Sequence, residues 1–151
     1  MGRMMFPRRP EKTLRRKKSN KFGAKRTVCS AGHPHPSGLE ASVCETLILR
    51  QRAGDIRNLK WQSTVTLAFG IKWKVDWEFE QKFVERDCAS SPNIVAWLQR
   101  FAEAKGAEDR GFKLKLRMWR EGCGPAPLEL WKGTAKRPTL VETIYPKKEE
   151  V

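Results

Sequence analysis

The sequence of 151 residues predicts a single α/β domain, a central sheet flanked by helices, behind a basic N-terminal arm. The length suits one compact unit, since single domains commonly run to about 100–150 residues. A segment with helical apolar spacing near residue 40 is followed by two runs rich in β-branched and aromatic side chains that alternate in polarity. The charge is also uneven: of a formal net +14, residues 1–27 supply +10.

The arm holds eleven Lys or Arg, among them Arg15, Arg16, Lys17, Lys18 and Lys21, against the single acid Glu11. With almost no large apolar side chains it cannot offset a backbone ordering cost of roughly 1–2 kcal/mol per residue, so it is expected to be disordered when free. Such a basic surface gathers polyanions, which makes nucleic acid the expected partner and the arm a phosphate-binding element. No stretch approaches the roughly 18 consecutive apolar residues of a membrane span, and the basic start lacks the apolar run of a secretory signal. A soluble cytoplasmic protein without a membrane partner is expected. Cys29, Cys44, Cys88 and Cys123 are widely spaced with no Cys-x-x-Cys pair, which fits reduced thiols better than a disulfide framework.

After the arm comes a Pro/Gly/His connector, AGHPHPSG, and then a helix predicted over Gly38 to Arg52. Leu39, Val43, Leu47 and Leu49 mark its apolar stripe, and Gly54 is placed to stop it. Leu59 to Phe69 and Ile71 to Phe79, separated by Gly70, read as a strand pair. Residues 81–93 are polar and irregular and read as a loop or insertion. In SPNIVAWLQRFAEAKG, Ser91, Pro92 and Gly106 are all helix signals, whereas FKLKLRMW alternates like a strand although Phe112, Leu116 and Trp119 also share a helical face. Local pattern leaves both segments open. PLELW reads as a strand, KGTAKRP as a turn and TLVETIY as a short strand before a charged end.

Hydrolysing a phosphodiester at neutral pH needs a nucleophilic water, neutralisation of the charge building on phosphorus, and help for the leaving oxygen. Convergent carboxylates holding divalent metal, with a nearby Lys, meet all three needs. Glu40 lies in the first turn of the first helix, Asp76 inside the second strand run, and Glu103 and Lys105 just before Gly106. On a strand, Glu103 and Lys105 would face the same side. Three carboxylates drawn within about 4 Å would repel by roughly 4 kcal/mol per pair at an effective dielectric near 20, which a cation or a shifted proton must relieve. A rival Glu-x-Lys at Glu80 and Lys82 lies on the run that bears Asp76, which would separate Asp76 and Glu80 by roughly 13 Å and exclude a shared ion.

PSGLE at 36–40, AGDIRNLKWQ at 53–62, KVDWEF at 74–79, EAKG at 103–106 and LKLRMWREGCGPAPLEL at 114–130 together resemble the phage endonuclease I family of Holliday-junction resolvases and related phage nucleases of the PD-(D/E)XK superfamily. The resemblance spans about residues 36–131. It implies a restriction-endonuclease-like core with a mixed sheet, a strand over 95–104 and a helix near 112–121. It further implies a catalytic set of Glu40, Asp76, Glu103 and Lys105, the three carboxylates binding Mg2+ with Mn2+ as a substitute. The implied activity is cleavage of branched or distorted DNA by a homodimer, in the host cytoplasm for a phage protein. Val75 stands where the motif's proline is usual, and the gap between Asp76 and Glu103 exceeds the usual short hairpin.

Other residues carry weaker readings. Lys113, Lys115, Arg117 and Arg120 suit a solvated face and a DNA phosphate clamp equally. Gln62 enters the site strand and receives no role. Cys29, His33, His35 and Cys44 could be read as a zinc cluster, but their spacing is unlike the usual paired ligands, so no zinc is assigned. The six tryptophans are mostly core candidates. Tail and charge also fit a non-catalytic ribosome- or nucleoid-associated binding protein, and the motifs also fit a nuclease of transposition or packaging.

Overall fold

The computed structural model of the chain describes residues 23–85 and 94–147. Most of the predicted arm, including Arg15, Arg16, Lys17, Lys18 and Lys21, lies outside the described residues. Thr27, assigned to the end of that arm, begins strand β1 (Thr27–Val28), which pairs antiparallel with β2 (Pro34–His35).

Helix α1 spans Gly38–Arg52, the predicted limits. Ser37 caps it reciprocally: its Oγ accepts from the Glu40 N–H at 3.2 Å, and its hydroxyl donates to Glu40 Oε1 at 3.1 Å. Leu39, Val43, Cys44 and Leu47 are buried, but Leu49, expected on the same stripe, is 60 % exposed. Two residues beyond Leu47 it is turned by about 200° around the axis, onto the opposite face.

Strands β3 (Ile56–Thr66) and β4 (Lys72–Glu85) form an antiparallel hairpin. Its turn puts Phe69 at φ 57° and Gly70 at φ 70°, and the Ile71 N–H donates to the Ala68 carbonyl at 3.2 Å. Two left-handed central residues give a turn whose twist matches the strands, which explains a glycine at the second position. Residues 81–85, read from sequence as loop, belong to β4 and pair with the first half of β5 (Ile94–Ala104). Their polar composition is that of a strand segment outside the core, where Lys82, Phe83 and Val84 are exposed. Residues 86–93 lie outside the described residues.

The helix signals around β5 are overridden by tertiary structure. Phe101, Ala102, Glu103 and Ala104 are all buried, as expected of a strand hydrogen-bonded on both sides and covered on both faces. Helix α2 (Arg110–Met118) follows, started by Asp109, whose Oδ1 accepts from the Phe112 N–H at 2.7 Å. An irregular turn, Trp119–Cys123, leads to β6 (Leu128–Thr134) and β7 (Arg137–Ile144). The sheet order is β3-β4-β5-β6-β7, with β5 and β6 parallel and the other neighbours antiparallel, so the fold is mixed α/β.

β5 and β6 divide the core. Ala102, Ala104 and Trp131 pack with Leu39, Val43 and Leu47 of α1 and with Trp77 and Phe79. Phe101, Leu128 and Leu130 pack with Phe112, Leu116 and Trp119, whose ring meets Phe101 edge-on at 5.4 Å. Trp73, Trp77, Trp119 and Trp131 are buried as expected, whereas Trp61 and Trp97 are half-buried. Among the described residues no helix is long and apolar enough to cross a membrane.

One ion pair locks α1 to the sheet. Arg50 contacts both oxygens of the buried Glu129, the closest at 2.9 Å, and the Trp131 indole N–H donates to Glu129 at 3.2 Å. Glu129→Ala strands a half-buried guanidinium and a buried indole N–H at once. Breaking such a pair costs about 3–5 kcal/mol, and we expect the urea midpoint to fall accordingly at unchanged denaturant slope.

Candidate active site

The four residues singled out from sequence line one cavity of about 840 Å³, together with Gln62, Lys74 and Lys115. Glu40 reaches it from the first turn of α1, Asp76 from β4 and Glu103 from β5, with Lys105 just past the end of β5. The register of β4 and β5 runs to the pair Trp77 and Ala102, and beyond it side chains take over the ladder. The Asp76 N–H donates to Glu103 Oε2 at 3.2 Å, and the Ala104 N–H donates to Asp76 Oδ2 at 2.9 Å. The two strands thus part at the cavity, with a carboxylate from each held by the backbone of the other. Glu103 is buried, while Asp76 and Glu40 are half-buried at the wall. The Lys105 ammonium stands over the Phe112 ring, 5.1 Å from its centre.

Burial dominates the electrostatics. It pushes the Asp76 carboxyl up to about 6, against the Ala104 N–H and the Lys105 charge. Burial and then the Asp76 charge push Glu40 up to about 7, with Ser37 and Lys105 opposing. Glu103 is raised well above the usual range by burial, then by Asp76 and, more weakly, Glu40. Three carboxyls that resist ionisation beside one another form a site short of positive charge.

Gln62, given no role from sequence, lines the same cavity with φ at 60°, between the register pairs Trp61 with Trp77 and Ser63 with Val75 and so across from Asp76. A non-glycine residue held in the left-handed region costs on the order of 1–3 kcal/mol and persists only where its surroundings impose it. Of the basic residues on and after α2, Lys115 lines the cavity, with its ammonium 5.9 Å from the centre of the Trp73 ring. Lys113 and Arg117 are exposed outside the cavity lining, and Arg120 is paired with Glu142 at 2.8 Å. Glu80, of the rejected Glu-x-Lys, lies apart and is paired with Arg57 and Asn58.

A second constellation has an uneven spacing along the chain, unlike the usual paired metal ligands. Cys29, His33, His35 and Cys44 converge, with one ligand atom from each within 4.8 Å of the others. The signal available was composition alone, two Cys and two His within 16 residues; the tight β1–β2 turn and the facing side of α1 bring them together. Comparison of the chain with family models, with curated proteins and with solved structures finds no match.

Proposed function

We propose that the protein is a metal-dependent endonuclease that hydrolyses phosphodiester bonds in branched DNA, on a restriction-endonuclease-like core. The observation that carries this reading is the meeting of Glu40, Asp76, Glu103 and Lys105, from three separate elements, in one cavity. Asp76, Glu103 and Glu40 would hold Mg2+, or Mn2+ in its place, because carboxylate oxygens are the hard donors these ions take and a cation relieves their mutual repulsion. When bound, the ion neutralises charge building at phosphorus and makes a water more acidic. Lys105 orients the attacking water and stabilises the phosphate oxygens, while Lys74 and Lys115 receive flanking phosphates at the cavity wall. Gln62 is suited to positioning the scissile phosphate across from Asp76. Two cuts are needed to resolve a four-way junction, so the active form is a homodimer that presents two such cavities.

Purified protein incubated with a synthetic four-way junction and Mg2+ is expected to give nicks near the branch point, faster than on linear duplex of the same sequence. Binding without cleavage of branched, linear or single-stranded DNA, in both Mg2+ and Mn2+, would sink the enzyme reading and leave a basic nucleic-acid-binding protein.

The arm gives a separate expectation. If it covers six to ten phosphates, junction affinity should fall by about a thousandfold or more between roughly 50 and 200 mM salt. Deleting residues 1–22 should flatten that slope; an unchanged slope would show that the folded part carries the phosphate contacts.

A further inference from the structure

We propose that Cys29, His33, His35 and Cys44 bind one structural zinc ion, which fastens the β1–β2 hairpin to α1 at a site separate from the carboxylate cavity. The inference stands independently of the nuclease reading.

The local chain brings the ligands together in three steps. The Gly32 N–H donates to the Cys29 carbonyl at 2.9 Å and the Cys29 N–H to the His33 carbonyl at 3.1 Å, with Gly32 in the left-handed region at φ 83°, so a tight turn folds His33 back onto Cys29. Pairing of Thr27 with His35 and of Val28 with Pro34 aligns His35 beside them. Cys44 comes from the buried face of α1. The two thiols are free, and their sulfurs lie 3.6 Å apart. A tetrahedral zinc with Zn–S bonds near 2.3 Å separates two sulfurs by about 3.8 Å, so the sulfurs need only a small adjustment to share an ion.

The imidazoles point to the same occupant. His35 is 1 % exposed, and neither of its ring nitrogens has a hydrogen-bond partner; His33 Nδ1 is likewise buried and unpartnered. Polar atoms left unpaired in the interior are destabilising, and buried unsatisfied nitrogens on two neighbouring rings call for a ligand. Trp61 stacks on His33 at 4.9 Å with planes 9° apart and meets the His35 ring edge-on at 5.6 Å, which holds both rings in place. Glu45, the nearby carboxylate, is engaged by the Ser30 hydroxyl at 2.7 Å and does not compete.

Two soft sulfurs and two imidazoles suit tetrahedral zinc, whereas Mg2+ takes oxygen donors, so the two sites of this protein select different ions. Four protein ligands leave no open position, which makes the role structural. On binding, Cys29 and Cys44 lose their protons to solvent and coordinate as thiolates. The consequence reaches the cavity, because His35 is followed directly by Pro36, the Ser37 cap and the turn that presents Glu40.

The full-length protein, purified without added metal and dialysed, should carry one zinc per chain by elemental mass spectrometry. Exchange with Co2+ should give the visible bands of tetrahedral cobalt and a near-ultraviolet sulfur-to-cobalt band. Cys29→Ser combined with Cys44→Ser should abolish both, while Asp76→Asn combined with Glu103→Gln should retain both. Lack of zinc in the wild-type protein together with no cobalt spectrum overturns the proposal, as does a zinc content unchanged in the double-serine variant. Should that variant fail to fold, the wild-type cobalt spectrum alone decides, since a sulfur-to-cobalt band requires thiolate ligation.

Discussion

For the proposed nuclease, Asp76→Asn is expected to lower magnesium-dependent cleavage by on the order of 10³-fold, while raising the thermal stability of the metal-free protein at neutral pH. Both effects come from the same physics. The asparagine can still accept from the Ala104 N–H, so the local bond that holds this side chain survives. What is lost is a carboxylate whose ionisation burial opposes and which raises both Glu40 and Glu103. Glu103→Gln should behave alike, since the amide oxygen can accept from the Asp76 N–H. The double variant should be little worse than either single one, because residues that act as a unit do not contribute additively. Single-turnover cleavage of a labelled junction measures the rate, and a loss smaller than about tenfold would remove Asp76 from the catalytic set. A general folding defect would lower stability, not raise it, so the two readouts separate chemistry from structural damage.

The second large effect is on stability. The Asp76 carboxyl moves from 3.8 to about 6 on folding, and Glu40 from 4.5 to about 7. Between about pH 4 and pH 7 the folded chain therefore binds more protons at these groups than the unfolded chain. Their contribution is fully present below the unfolded values, and it is lost as pH rises through the folded ones. For Asp76, a shift of about two pH units corresponds to roughly 3 kcal/mol, or on the order of 5–10 °C in midpoint for a chain of this size. Added Mg2+ should restore much of this at pH 8 and do little at pH 5, where the carboxyls are largely protonated. Thermal scans at the two pH values, with and without millimolar Mg2+, test the sign. The test adds an ion instead of chelating one, so the Cys and His cluster is left undisturbed. An equal magnesium effect in Asp76→Asn would place the binding elsewhere.

Much of the architecture was legible in the sequence where local signals and tertiary demands agree. α1 carries an apolar stripe and a stopping glycine, and the limits read from them are those of the helix. The β3–β4 hairpin is announced by alternation on either side of Gly70. β5 was different. Ser91, Pro92 and Gly106 favour a helix, and only resemblance to a nuclease pattern argued for a strand. The segment is a strand because β4 and β6 offer it ladders on both edges and helix-bearing clusters cover both faces. Leu49 failed for a smaller reason, a two-residue step that the stripe cannot accommodate.

The sites divide the same way. Glu40, Asp76, Glu103 and Lys105 stood out as candidates because convergent carboxylates with a nearby Lys suit phosphodiester hydrolysis and because their surroundings resemble a nuclease pattern, and the four line one cavity. Gln62 was not, because its left-handed backbone and its position across from Asp76 exist only once β3 and β4 are in register. The Cys and His residues carry no recognisable spacing in the sequence, since metal-ligand spacing is a guide only when one short turn supplies each ligand pair. Here α1 supplies the fourth ligand from 15 residues beyond the first.

By itself the sequence determined the strong positive charge, the α/β class, the limits of α1 and the identities of four residues suited to phosphodiester chemistry. Tertiary structure decided the state of residues 94–104, the parting of β4 and β5 that opens the cavity, and the closing of the Cys and His cluster. The physical reason is range: periodicity and capping are settled within a few residues, whereas burial on two faces and the meeting of distant ligands depend on which elements pack together.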